Sequence, residues 1–469
     1  MRRVFIQTFG CQMNEYDSEQ MVQVLSSKGF ERTLRMEDAE LVLINSCAVR
    51  EKSENKALSF LGKLSAIKSL KPSTVIGFGG CVGQTEGPKL LSRFKFLDFA
   101  FGTNNYRELP KLIEPFEKNW ETMEDFDVLL PPSRPESKSQ AFLTITNGCD
   151  KFCSYCIVPF TRGREVSRSP EELIEEAAAL VQKGAKEIML LGQNVNSYWG
   201  KSKSGAFHSL YDLLKMFQHE SEDGALKGLA RLRYTTSHPR DFDENLARAF
   251  AELPILCEHL HLPFQAGSDS VLRRMRRFYT ADTFLKKMEL VRKYRPDISL
   301  STDVIVGFPG ETDKDFQETM RVIKEVGFDN VYSFKYSTRN YTRSAKMEDD
   351  VSAQVKTERI TELLKVQREI SARKYREDIN QTIEVMLEGP SKANADLWTG
   401  RSRKNRLVHL VPRDGFHEGQ ILFAKVTEAT HSWQLGEIDE ASSLLDSRSS
   451  QLCSDSPSIQ HSAERASVA

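Results

Sequence analysis

Between residues 141 and 376 the chain repeats one pattern: a short apolar run, then a longer stretch whose apolar residues recur with helical period. The runs fall at 141–146, 187–191, 231–236, 259–263, 299–306 and 331–336, with helical stretches such as 170–183, 284–294 and 316–326 between them. A run that is apolar throughout is buried on both faces, and buried strands joined by helices lie parallel. Six β/α repeats predict a barrel or part of one, with the chemistry at the carboxyl ends of its strands. The amphipathic stretch 353–376 predicts a long helix that closes this unit, assigned here to residues 138–376. Runs at 3–8, 41–45 and 74–78, with a helix over 14–28, predict a separate parallel, doubly wound domain over residues 1–118. Residues 119–137 break both periods with an acidic stretch and Pro131, Pro132 and Pro135, and read as a linker. Short β-prone runs at 382–387, 407–410 and 421–426, spaced by Gly and Pro, predict a small β-barrel over 377–438. Residues 439–469 are rich in Ser and poor in large apolar side chains, so they read as a disordered tail. The expected class is α/β: an amino-terminal parallel α/β domain, a partial (β/α)6 barrel and a carboxy-terminal small β-barrel.

No apolar run approaches the roughly 18 residues a membrane helix needs, and the amino terminus reads as a first strand instead of a signal peptide. The expected location is therefore cytoplasmic, with no membrane partner. In a reducing compartment the eight cysteines must be explained by metal binding, catalysis or burial instead of disulfides. The formal net charge of -1 gives no overall attraction to nucleic acid, so a polyanionic partner must be met by local basic clusters.

Cys149, Cys153 and Cys156 lie within eight residues, just past the first predicted barrel strand. Soft thiolates favour zinc or an iron–sulfur cluster. A structural zinc site needs a fourth ligand, and the next residues able to serve, Cys257 and His208, are distant in sequence. A four-iron cluster can hold three thiolates and leave one iron open. Cys11, Cys47 and Cys81 each follow one of the three strands predicted in the first domain, about one β/α repeat apart, and Gly10, Gly79, Gly80 and Gly83 flank two of them. Such positions gather at the carboxyl edge of a parallel sheet, as a shared site or as separately buried thiols.

The spacing of the first set, three residues and then two with an aromatic before the last Cys, resembles the radical S-adenosylmethionine superfamily. That resemblance implies a 4Fe-4S cluster on Cys149, Cys153 and Cys156, with S-adenosylmethionine chelated at the open iron and cleaved by one electron to a radical. It also implies cofactor contacts: Tyr155 beside the adenine, Gln193 and Asn194 at the amino group, Gln265 and Ser268 at the ribose, and Gly307 where backbone approaches the adenine. Gly10-Cys11-Gln12-Met13-Asn14, Asn45-Ser46-Cys47-Ala48-Val49-Arg50 and Gly79-Gly80-Cys81 resemble the amino-terminal domain of the methylthiotransferases. The resemblance covers residues 1 to about 438 and implies a second 4Fe-4S cluster on Cys11, Cys47 and Cys81, a radical SAM core and a TRAM-like barrel. Gln193-Asn194-Val195-Asn196-Ser197-Tyr198 and Thr235-Thr236-Ser237-His238-Pro239 look like the members that act on isopentenylated adenosine beside the tRNA anticodon. The reaction implied replaces the hydrogen at adenine C2 with a methylthio group. One S-adenosylmethionine supplies the radical and another the methyl. A sulfur donor and a reductant such as flavodoxin or ferredoxin are the implied partners. Ser46 and Asn340-Tyr341-Thr342 depart from the usual Thr and Pro-Gly-Thr. The rival readings are a methylthiotransferase acting on threonylcarbamoyl-adenosine or a ribosomal protein, and a non-catalytic iron–sulfur RNA-binding redox sensor.

Three basic clusters bear on the RNA. Arg162, Arg164 and Arg168 follow the cysteine loop, and Arg273, Arg274, Arg276 and Arg277 fall on a predicted helix. Arg401, Arg403, Lys404 and Arg406 lie in a turn of the small barrel, the surface expected to bind substrate, with Trp398 and Trp433 available for stacking. His238, His259 and His261 read as hydrogen-bonding residues, and no side chain is assigned as a catalytic acid, base or nucleophile.

Overall fold

The strand Leu41–Ser46 is buried at every position because helices cover both faces of its sheet. Ala57, Leu61 and Leu64 of the helix Glu51–Leu70 pack on one face, and Met21 and Leu25 of the helix Gln12–Ser26 on the other. Around it the strands run parallel in the order Phe30–Arg32, Arg2–Phe9, Leu41–Ser46, Val75–Gly79, Phe99–Ala100. The two outer strands were not expected. At three and two residues they are too short to show any periodicity. The computed structural model describes residues 2–117 and 139–439. The expected linker at 119–137, and the expected tail apart from Asp439, lie outside the described residues.

The six barrel strands are all present, but they form two three-stranded parallel sheets instead of one continuous ladder. The first contains Gln140–Thr144, Glu187–Leu191 and Arg231–Tyr234, the second His259–His261, Ser299–Val306 and Asn330–Lys335. An isolated bridge from Leu232 to Leu256 carries hydrogen bonding on beyond the edge strand of the first sheet. The partial barrel is thus open, and the helix Gln12–Ser26 lies against its strands: Met13 and Tyr16 pack on Met189 and Leu191, and the Tyr16 hydroxyl donates to Glu176 at 3.2 Å. Helix starts are set by local chemistry. Thr312 and Asp315 form a capping box at the head of Asp313–Val326, and Gly327 ends that helix in the left-handed conformation.

The chain divides into two compact units after Ser371, and both parts described so far belong to the first. The second unit contains a closed barrel of five strands, in the order Thr382–Pro390, Trp398–Ser402, Leu407–Leu410, Gln434–Ile438, Ile421–Ala429. Val385, Leu387, Val408, Leu410, Leu422 and Ala424 alternate inward to form its core. Two of these strands were missed because Trp398–Ser402 and Gln434–Ile438 carry too many small and polar residues to read as apolar runs. Among the described residues no helix is long and apolar enough to cross a membrane.

Candidate functional site

Three adjacent parallel strands bring Cys11, Cys47 and Cys81 to one edge of the amino-terminal sheet. Cys11 directly precedes the helix Gln12–Ser26, Cys47 follows Leu41–Ser46, and Cys81 lies in the first turn of Gly80–Arg93. A buried amide network fixes the loops. The Asn14 side chain donates to Asn45 Oδ1 at 3.2 Å and to the Ser46 carbonyl at 3.3 Å, and Asn45 donates back to the Asn14 carbonyl at 2.8 Å. Gly10 and Gly80 allow this closeness. A Cβ at Gly10 would meet Asn14 Oδ1 at 2.2 Å, and Gly80, at φ +86°, would place one 2.4 Å from the Ser46 carbonyl. Cys11 and Cys47 are close enough to share a hydrogen bond, which lowers the Cys11 pKa and raises that of Cys47. Burial raises Cys81, opposed by the charge of Arg162.

Arg162 corrects one expectation. Read from sequence as part of a basic surface, it is 5% exposed, and its guanidinium meets Asp17 at 2.5 Å. A guanidinium taken out of water needs a carboxylate partner, and the helix carrying Asp17 supplies one. Arg168 also turns to the protein, pairing with Glu176 at 2.7 Å, while Arg164 stays exposed beside Asp150. Removing one member of a buried pair leaves the other uncompensated. Arg162→Ala is therefore expected to destabilise the first unit by about 3–5 kcal/mol, read by chemical denaturation. A change under about 1 kcal/mol would mean that Asp17 does not depend on it.

The loop of Cys149, Cys153 and Cys156 opens at Gly148, φ +80°, whose Cβ would lie 2.1 Å from the Arg164 carbonyl. The Gly148 N–H donates to Gln193 Oε1 at 2.5 Å and the Cys149 N–H to the Gly163 carbonyl at 3.2 Å. The far side is tied down by the Ser154 N–H on the Met275 carbonyl at 2.9 Å. Arg277, again read from sequence as a surface charge, is 4% exposed. Its Nη1 lies 3.4 Å from both Cys153 Sγ and the Tyr155 hydroxyl, its Nη2 donates to the Pro263 carbonyl at 2.6 Å, and its Nε to Tyr279 at 3.2 Å. Burial raises the thiols of Cys149 to about 11 and Cys156 to about 12. The two cysteine sets share a boundary: Arg162 is near enough for its charge to act on Cys11 and Cys81, and the next residue, Gly163, accepts from Cys149.

The remaining expected cofactor positions divide. Gln193 and Asn194 lie at the carboxyl end of Glu187–Leu191, where Asn194 donates to Asp241 at 2.8 Å. Tyr155 packs edge-on to Phe308 at 6.5 Å. Gln265 is buried at φ +72° in a bridge with Val304. The Ser268 hydroxyl is committed to the Asp315 carboxylate. Gly307, at φ +70°, has a reason of its own to be glycine: a Cβ there would lie 2.3 Å from Cγ of Lys356. His238 accepts the Arg240 N–H on Nδ1 at 3.1 Å, so its proton resides on Nε2. Burial first, then the charges of Arg277 and Lys151, hold the ring neutral. His259 and His261 both meet the Ser301 hydroxyl at 3.0 Å, as hydrogen-bonding residues do.

The residues suit the cofactors implied by the resemblance. Among the described residues no three His, Cys, Asp or Glu side chains converge on a single metal ion. At the strand carboxyl ends, Thr146 Oγ1, Gln193 Nε2, Asn194 Oδ1, Ser237 Oγ and His238 Nε2 are buried without a hydrogen-bond partner. Buried polar atoms are nearly always paired, so these donors and acceptors are free for the polar groups of a bound cofactor.

In the second unit Arg406 corrects another expectation. It is 3% exposed, paired with Asp378 and lying 4.9 Å over the ring of Tyr375, so it holds the barrel together instead of facing RNA. Lys404 shares Asp378 at 3.6 Å and Arg401 meets Glu388 at 2.9 Å, while Arg403 is half-buried. Trp398 packs edge-on to Phe416 at 5.4 Å and Trp433 to His409 at 5.5 Å.

The chain is similar to known proteins along most of its length. Residues 143–323 match the Radical SAM superfamily, and residues 3–102 match Uncharacterized protein family UPF0004. A tRNA-2-methylthio-N(6)-dimethylallyladenosine synthase of Burkholderia thailandensis is 40% identical over 449 residues, 93% of this chain and 97% of the relative. Its counterpart in Geobacillus thermodenitrificans is 42% identical over 447 residues, 93% of this chain and 83% of the relative. Among solved structures, the radical S-adenosylmethionine methyltransferase TsrM of Kitasatospora setae superposes with a TM-score of 0.52 at 15% identity, over 71% of this chain and 73% of that one. That likeness shows the fold alone.

Proposed function

Because the chain belongs to the family of the tRNA-2-methylthio-N(6)-dimethylallyladenosine synthases, we propose that it is a radical methylthiotransferase whose substrate is N(6)-isopentenyladenosine next to the tRNA anticodon. The observation that carries the reading is the meeting of two cysteine sets at segment 161–164, each at the carboxyl edge of a parallel sheet. Two sets fit a reaction with two tasks, removal of a hydrogen and delivery of a sulfur.

Cys149, Cys153 and Cys156 are the ligands of the radical cluster in this reading, with S-adenosylmethionine against Tyr155, Gln193, Asn194, Gln265, Ser268 and Gly307. When bound, the cluster and cofactor would supply the one-electron chemistry needed to remove the hydrogen at adenine C2. Gln193 acts on the loop itself by accepting the Gly148 N–H, which orients the first thiolate. Arg277 donates toward Cys153 Sγ and offsets thiolate charge. Cys11, Cys47 and Cys81 would hold a second 4Fe-4S cluster, which would supply the sulfur, and the charge of Arg162 would offset theirs. An external sulfur donor and a reductant of the flavodoxin or ferredoxin class complete the partners. The division of labour assigns sulfur delivery to residues 1–118, radical chemistry to 138–376 and RNA binding to 377–438, where Arg401, Arg403 and Lys404 are half-buried.

The test is chemical. Bulk tRNA from a strain deleted for this gene, digested to nucleosides and separated by mass, should lack 2-methylthio-N(6)-isopentenyladenosine and accumulate the unthiolated nucleoside. Unchanged methylthio-nucleoside would overturn the substrate, and loss of methylthio-threonylcarbamoyl-adenosine instead would move it to the other tRNA base.

A further inference from the structure

Phe278 stands out on physical grounds. It is 61% exposed, and its backbone sits at φ +55°, a conformation that a bulky side chain rarely adopts. Both features act against stability, and neither reflects slack in the chain. The preceding Arg277 is buried on Cys153 and Pro263, and the hydroxyl of the following Tyr279 donates to the Phe264 carbonyl at 2.6 Å. Arg276 closes the helix Asp269–Met275 in the left-handed conformation, φ +59°. The ring is therefore held out in water by neighbours that are themselves fixed. Strain that the surrounding structure maintains is a pointer to function.

Two guanidinium groups lie over the ring, Arg240 at 5.8 Å and Arg276 at 5.7 Å from its centroid, near the outer limit of a cation–π contact, and the ring stays 61% exposed beneath them. Neither forms an ion pair among the described residues, unlike Arg162, Arg168 and Arg274. The site is close by. The Met275 carbonyl accepts from Ser154 in the cysteine loop, and Asp241, next to Arg240, pairs with Lys151 of the same loop at 2.6 Å. An exposed aromatic ring carrying two cations that no carboxylate neutralises is complementary to one kind of ligand: a flat, uncharged base on a phosphodiester backbone.

We propose that Phe278, with Arg240 and Arg276, is a stacking platform for a base flanking the target nucleotide, on single-stranded RNA entering the radical site. The inference rests on the RNA reading above and names the residues that hold the strand there. Stacking on Phe278 keeps the neighbouring base out of the helix while the two guanidinium groups meet the phosphates beside it.

The test uses the full chain, reconstituted anaerobically, and an anticodon stem-loop carrying 2-aminopurine next to the target adenosine. Wild-type protein should quench the probe, because stacking quenches its fluorescence. Phe278→Ala should lose that quenching and bind the stem-loop about tenfold more weakly, and Phe278→Tyr should restore both. Phe278→Gly should show the same RNA defect while its melting temperature stays level or rises, since glycine relieves the positive φ. Arg240→Gln with Arg276→Gln should weaken binding and flatten its salt dependence. None of these changes should lower 5′-deoxyadenosine release in the absence of RNA. Quenching and affinity unchanged in Phe278→Ala, with wild type active on the RNA, overturn the platform alone. A fall in melting temperature with RNA binding intact makes Phe278 a packing residue and overturns it equally. Wild type that neither binds nor modifies the stem-loop instead overturns the RNA reading on which the proposal rests.

Discussion

Cys149→Ala is expected to abolish 5′-deoxyadenosine release and methylthio product together, and to lower bound iron from about eight to about four per chain. Two thiolates cannot hold a four-iron cluster in place of three, so the loss is complete and not graded. The fold should survive. Cys149 is a small buried side chain in a loop fixed by backbone contacts, the Gly148 N–H on Gln193 and its own N–H on Gly163. Replacing its sulfur by hydrogen costs on the order of 1 kcal/mol, well within the stability of a domain. Far-ultraviolet circular dichroism and melting should stay close to wild type. Cofactor cleavage at the wild-type rate by a folded variant would remove Cys149 from the ligand set.

Cys47→Ala is expected to separate the two activities. Bound iron should again fall by about four per chain, yet 5′-deoxyadenosine should still form, because the radical loop is built from the barrel's own residues. Methylthio-nucleoside should be absent, since the site proposed to carry the sulfur is lost. Cys47 is buried beside Cys11 and receives the Val49 N–H at 3.4 Å, so the variant loses a cluster ligand, that weak hydrogen bond and the contact with Cys11. Methylthio product at the wild-type level would show that Cys11, Cys47 and Cys81 have no part in the sulfur step. Loss of 5′-deoxyadenosine as well would show that one cluster depends on the other. The contrast between the two variants is the sharpest test of a two-centre reading, because a redox sensor with no transfer chemistry gives neither product in any form.

The strands Glu187–Leu191 and Ser299–Val306 are legible in the sequence to the residue, and so is the helix Ala353–Arg376. Each is long or apolar enough for its period to stand out. Phe30–Arg32, Phe99–Ala100, Trp199–Lys201 and Phe207–Ser209 are not, because two or three residues carry no period and are held by neighbouring strands. The split of the barrel into two sheets is equally hidden. It depends on how far Arg231–Tyr234 stands from His259–His261, which no local pattern encodes.

The arginines show the limit most clearly. Arg162, Arg277 and Arg406 look in sequence like their exposed neighbours, and a solvated charge is the natural expectation for each. Their partners, Asp17, Cys153 and Asp378, lie 145, 124 and 28 residues away along the chain. Only packing brings such groups together, and only packing decides which arginines stay uncommitted.

By itself the sequence determined the class of fold and the place of the six cysteines. Apolar runs alternating with helical stretches can only be buried as parallel strands, and a residue just after such a strand must emerge at its carboxyl edge. The tertiary structure decided what surrounds those cysteines. It put Arg277 inside against Cys153 and Arg162 inside on Asp17, turned Arg406 into its own barrel, and left the Phe278 ring exposed with Arg240 and Arg276 over it. The reason is one of range: a strand end is set by the residues next to it, whereas the burial of a charge or the exposure of a ring is set by segments far along the chain.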